Sequence, residues 1–117
     1  MIATHRSAAT PTLRQLRANL GLSREKMGRL LSVSAKTVEN WEREGRWPSD
    51  DARRGQLATL AEICELGLTV YTPEGFIRFM TTPMKVFDYH TALHEFELGH
   101  ADRVLGALAV DYEGAGY

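Results

Sequence analysis

Apolar residues recur three and four positions apart along most of the chain, and short polar or glycine-bearing breaks divide that pattern into helices. Leu13, Leu16 and Leu20 make the first stripe. Thr10 or Thr12 supplies its cap, Pro11 is tolerated in the opening turn, and Gly21 stops it. Ser23 caps a second helix, Arg24 to Leu31, whose apolar face is Met27, Leu30 and Leu31 around the small Gly28. After the turn Ser32-Val33-Ser34, Ser34 caps a third helix, Ala35 to Glu44, with Val38 and Trp41 inward and Gly45 at its end. Trp47-Pro48 forbids continuation, and Ser49-Asp50-Asp51 opens a fourth helix with acidic residues at its positive end.

The fourth helix is expected to reach about Leu66, burying Leu57, Leu60, Ala61 and Cys64, and to break at Gly67. Leu68-Thr69-Val70-Tyr71 is short and partly β-branched, which suits a strand fragment or an extended connector. Thr72-Pro73-Glu74 starts a short helix carrying Phe76, Ile77 and Phe79, and Thr82-Pro83 starts a further turn. Thr91 to Leu98 and His100 to Tyr112 read as two last helices separated by Gly99, before a flexible tail, Glu113-Gly114-Ala115-Gly116-Tyr117. The expected fold class is all-α with at most a minor strand, free of internal repeats and low-complexity linkers.

Composition narrows the class without naming a function. At 117 residues, with 44% hydrophobic and 25% charged, the chain suits one compact domain or two small helical lobes sharing a core, and not a disordered segment. No apolar run approaches the roughly 20 residues of a membrane span. Met1 to Thr10 lacks an apolar signal region, so a cytoplasmic protein is expected. The single Cys64 excludes an internal disulfide and a cysteine zinc cluster. The net charge of −1, taken whole, argues against a nucleic-acid binder, but it is an average. Residues 1–58 carry eleven basic and six acidic side chains, and residues 59–117 carry three basic and nine acidic, so the halves stand at +5 and −6. Such an asymmetry suits a polyanion-facing module joined to a part with another task.

The stretch from Leu22 to Arg43 meets the demands of a helix-turn-helix together. A small residue, Gly28, sits where the helices cross closely, Val33 plugs a tight turn, and Val38 and Trp41 hold the second helix with its outer flank bare. Over about residues 12–66 the pattern resembles the Xre-type helix-turn-helix of phage-repressor-like regulators, including Val33-Ser34 and the Trp41-Glu42 pair. That resemblance implies a recognition helix presenting Ala35, Lys36, Thr37, Glu39 and Asn40 to the major groove, with Ser34 at its cap. Lys36 would donate to guanine, Asn40 would address an adenine edge, and the Ala35 or Thr37 methyl would touch thymine. Glu39 would accept from cytosine or orient Lys36 or Arg43. Ser23 and Arg24 would hold a phosphate, and Arg43 and Arg46 would reach the flanking backbone.

Other residues read more plainly. Trp41 is expected in the core, and Trp47, beside Pro48, as a staple between helices. His90 and His94 are four apart, with Glu97 and His100 following at helical spacing, a pattern that can bind zinc. Position 98 is leucine, which breaks the zincin motif, so no metal or other cofactor is expected. No nucleophile constellation or phosphate-cradling glycine loop appears, so no enzymatic activity is expected.

The acidic half carries Arg78-Phe79-Met80-Thr81-Thr82-Pro83 and, after a spacer, Ala92 to Leu108 with Gly99 ending a short helix. This resembles the C-terminal domain of the Xre/MbcA/ParS antitoxins, departing from it at Met84 and in the spacer before Leu93. The resemblance implies an arm at 1–10, a DNA-binding head at 11–66 and a toxin-binding or dimerisation domain at 67–117. It also implies a RES-domain toxin partner that degrades NAD, neutralised as the C-terminal segment occludes its NAD pocket, and repression of the chain's own operon. Val110, Asp111, Tyr112, Glu113 and Tyr117 are the expected contacts, and a homodimer or higher toxin-antitoxin assembly would bind a palindromic operator. The alternative is a stand-alone dimeric repressor whose acidic half is a dimerisation or effector domain, and the plainer reading of Val104, Leu105, Leu108 and Tyr112 is a core or homodimer seam.

Overall fold

The computed structural model describes residues 10–114, so the expectations for the first nine residues and for Tyr117 lie outside it. Among the described residues the chain forms seven α-helices and one 3-10 turn. An isolated antiparallel bridge, Met84 to His90, replaces any sheet. Helix α1 spans Leu13–Leu20, α2 Arg24–Leu31, α3 Ala35–Glu44, α4 Asp51–Val70, α5 Pro73–Thr81, α6 Ala92–Glu97 and α7 Ala101–Gly114.

Local chemistry sets most of these boundaries. Thr12, not Thr10, caps α1. Its hydroxyl accepts from Gln15 N at 3.0 Å, and the Gln15 side chain accepts from Thr12 N at 2.8 Å, a reciprocal capping box. Pro11 therefore lies outside the helix, where its carbonyl accepts from Trp47 Nε1 at 3.1 Å; Trp47 is the expected staple. Ser23, Ser34, Asp50, Thr72 and Thr91 cap α2 to α6 in the same way, each accepting from a backbone N–H three residues on.

The fourth helix departs from the sequence expectation. It does not break at Gly67 but continues to Val70, so Leu68 to Val70 are helical rather than extended. Gly67 is a packing residue: a Cβ there would lie 2.2 Å from the Phe76 ring, so α5 can fold back onto α4 only over a bare backbone. The helix buries Leu57, Leu60 and Cys64 together with Ile63, which sequence reasoning passed over, while Ala61 is only partly buried. It is covered on more than one side, because α1, α5 and α7 all pack against it. Burial raises the Cys64 thiol to about 12, which leaves it inert.

One continuous core crosses both halves, from Leu16, Leu20 and Met27 through Leu57, Leu60 and Ile63 to Phe76, Phe87, Val104 and Leu108. The last helix runs through Glu113 and Gly114, so the tail expected from Glu113 is helical at its start. The Tyr71 hydroxyl donates to Asp111, fixing α7 to the end of α4. Burial, with the Asp111 carboxylate beside it, raises the Tyr71 phenol to about 12.

Gly67→Ala should destabilise the chain by about 1–3 kcal/mol through overpacking against Phe76. Gly106→Ala, where a Cβ meets nothing within 4 Å, should be neutral or stabilising by up to about 1 kcal/mol. Urea titrations of the two variants check this, and equal stabilities would contradict the packing role of Gly67.

Candidate nucleic-acid interface

The first three helices build a scaffold around one carboxylate. Glu42, on the inner flank of α3, has a side chain with 0% exposure. Arg17 of α1 grips it with two bonds, Nε to Oε2 at 2.6 Å and Nη2 to Oε1 at 3.1 Å, and donates Nη1 to the Leu22 carbonyl at 3.2 Å. Arg24 of α2 donates Nε to Oε1 at 3.0 Å, and Arg14 stands 3.7 Å away. Burial alone would push the Glu42 carboxyl upward; the donors and charges of Arg17 and Arg24 outweigh it and hold the group below the usual carboxylate range. Three helices thus meet on one charge.

The turn is fixed from two sides. Val33 N donates to the Gly28 carbonyl at 2.8 Å, and a Cβ on residue 28 would lie 2.5 Å from the Val33 oxygen. Residue 28 must therefore be small because the turn folds back over it. From α4, Arg53 donates Nε to the Leu31 carbonyl at 2.7 Å and Nη2 to the Ser32 carbonyl at 3.2 Å. This occupies acceptors left open at the C-terminus of α2 and places positive charge at the negative end of its dipole. Ser32 takes the left-handed conformation there, with φ 60°.

Helix α3 sits on this frame with Val38 and Trp41 buried. Spacings of four and three place Lys36, Asn40 and Arg43 on one outward stripe. Lys36 Nζ lies 3.5 Å from Glu39, and Arg43 Nη2 donates to Asn40 Oδ1 at 2.8 Å. Ser34 and Thr37 share a hydroxyl contact at the cap, and Ala35 is half-buried beside them. Arg46 pairs with Glu44 at 2.7 Å beyond the helix. Ser23 caps α2, while Arg24 spends its Nε on Glu42 and remains 40% exposed. Lys26 and Arg29 are exposed on α2. Sequence reasoning passed over both cations, although the helical period of Met27, Leu30 and Leu31 already leaves positions 26 and 29 outside.

Val110, Asp111, Tyr112 and Glu113, expected to meet a protein partner, lie near the end of α7. Val110 and Glu113 are exposed, Tyr112 is half-buried, and Asp111 is tied to Tyr71. Val104 and Leu108 belong to the core and Leu105 packs partly against it. The histidines go to other partners: the His90 and His94 rings touch, His94 Nδ1 lies 3.3 Å from Glu97, and His100 Nδ1 lies 3.0 Å from the buried Glu95. Arg103 donates to the same Glu95 at 3.1 Å. Among the described residues no cluster of three metal-binding side chains forms. No helix among them is long and apolar enough to cross a membrane.

The family model described as a helix-turn-helix domain matches residues 11–70. Among solved structures, a chain of the M. tuberculosis MbcT-MbcA toxin-antitoxin complex is similar to this chain at 20% sequence identity. The alignment covers 90% of this chain and 94% of that one with a TM-score of 0.72, a likeness of fold. No curated protein matches the sequence.

Glu42→Ala leaves Arg17 without its partner and should cost about 3–5 kcal/mol. Because the folded-state pKa of Glu42 is depressed, its ionisation stabilises the fold above the usual carboxylate range. That contribution fades as pH falls through the lowered folded value. Acid titration of unfolding should show a weaker pH dependence for Glu42→Gln than for the natural chain; identical curves would contradict the clamp.

Proposed function

The chain belongs to the helix-turn-helix domain family, and from that premise we propose that it is the antitoxin of a type II toxin-antitoxin pair. Its head reads operator DNA with α3, and its C-terminal half holds a protein toxin. The observation that carries this reading is the extent of the structural likeness. The family match ends at residue 70, whereas the likeness to a chain of a toxin-antitoxin complex continues through 90% of the molecule. The same layout of head and helical C-terminal half supports a shared division of labour.

On the DNA side, Lys36, Thr37, Glu39, Asn40 and Arg43 address the major groove, with Ser34 and Ala35 at the entry of the helix. Ser23, Arg24 and Arg46 face phosphates. A palindromic operator matches a homodimer or a larger symmetric assembly. On the protein side, the partner is a RES-domain toxin that consumes NAD. Val110, Asp111, Tyr112, Glu113 and Tyr117 form the contact, and the segment after α7 occludes the NAD pocket. Val110 offers exposed apolar surface, and tyrosines bring large contact area at small entropic cost. The bond from Tyr71 to Asp111 pre-orders the helix that leads into the contact. The chain acts by binding, not by catalysis.

Co-expression with the product of the neighbouring gene tests this. That product alone should arrest growth, and the full chain should rescue it. A chain ended after Gly114 should rescue at least tenfold fewer colonies, with unfolding and operator affinity unchanged. Full rescue by the shortened chain would remove the occlusion mechanism, and a harmless neighbour would leave the stand-alone repressor.

A further inference from the structure

The outward stripe of α3 contains a pair whose polarity follows from chemistry alone. Arg43 Nη2 lies 2.8 Å from Asn40 Oδ1. A guanidinium carries donors only, so the amide oxygen of Asn40 must be the atom turned toward it. Reading adenine with an asparagine uses both ends of the amide, the oxygen accepting from N6–H and the nitrogen donating to N7. With its oxygen turned toward Arg43 and one of that oxygen's two lone pairs engaged, the Asn40 amide is oriented on its neighbour and not free to align both of its ends on an adenine edge.

Arg43 differs from the other well-placed arginines. Arg17 and Arg24 bond the Glu42 carboxylate and Arg46 that of Glu44, the last two through Nε with their other nitrogens left for phosphates, and Arg53 bonds the Leu31 and Ser32 carbonyls. Arg43 is exposed and held by a neutral amide, which orders its long side chain without neutralising it. Nε, Nη1 and one hydrogen of Nη2 remain as a donor fork. Lys36, four residues before Asn40 on the same stripe, adds another donor. The major-groove edge that offers two acceptors, N7 and O6, to such a fork is that of guanine.

We propose that Arg43 reads a guanine bidentately and that Asn40 is its positioning residue, not an adenine reader. This deepens the DNA-reading role proposed above and rests on it. Selection from a randomised DNA pool tests it with the natural chain, Arg43→Ala and Asn40→Asp, with circular dichroism confirming that each variant is folded. The natural chain should select an invariant guanine at one position of each half-site. Arg43→Ala should lower its preference over adenine there from at least tenfold to below threefold and leave other positions unchanged. Asn40→Asp should keep guanine at the same position, because a carboxylate still accepts from Arg43 and holds its fork in place, but with a smaller preference, because the carboxylate also neutralises Arg43; the ratio of specific to mixed-sequence affinity corrects for its added charge. Selection of an adenine that Asn40→Asp loses would overturn the proposal. So would an Arg43→Ala chain that weakens on all sequences equally, with a salt slope smaller by about one, the mark of a phosphate contact. A natural chain that binds no DNA would overturn the DNA-reading role and this assignment together.

Discussion

A carboxylate without exposed surface can be kept ionised only if its neighbours replace the water it has lost, and Glu42 meets that condition through arginines from α1 and α2. The arrangement is directional as well as charged. The paired bonds from Arg17 fix the rotation of α3 about its axis, and the Arg24 bond fixes its distance from α2. Removing any one of these groups leaves the others with buried or half-buried charge, so the interaction specifies an arrangement more than it adds stability. The outward stripe of α3 keeps its orientation because the inward charge has one place to go.

That constraint reaches the rest of the molecule through α4. Its N-terminus supplies Arg53 to the turn, its middle packs against α1 and α7, and its end carries Tyr71 to Asp111. A helix of 20 residues spans about 30 Å. The basic first half and the acidic second half of the chain, at +5 and −6, therefore share one core. The near-neutral total is the sum of two oppositely charged halves of the sequence.

Much of this was legible in the sequence, because caps and apolar periods are local. Ser23, Ser34 and Thr72 each announce a helix start, and Val38 with Trp41 announces which face of α3 turns inward. The misreadings were non-local. Gly67 looks like a breaker until Phe76 is placed against it, and Ile63 looks surplus until α4 is packed by three other helices and the residue is found in the core. Glu42 enters the sequence reading only within the Trp41-Glu42 pair of the family pattern; only the folded chain brings in Arg17, 25 residues away. For the candidate site, the stripe Lys36, Asn40 and Arg43 was readable from spacing, but the bond that turns the Asn40 amide was not. Periodicity places a side chain on a face without orienting it.

On the proposed function, one body with a continuous core performs two binding tasks on separate surfaces. Hydroxyl-radical footprinting of the full chain, alone, with its promoter DNA, and with the product of the neighbouring gene, tests it most directly. DNA should protect Lys36 and Arg43 and leave Val110 and Tyr112 unchanged, while the protein partner should do the reverse. Protection of the same residues by both ligands, or a partner that leaves Val110 and Tyr112 fully reactive, would contradict the account.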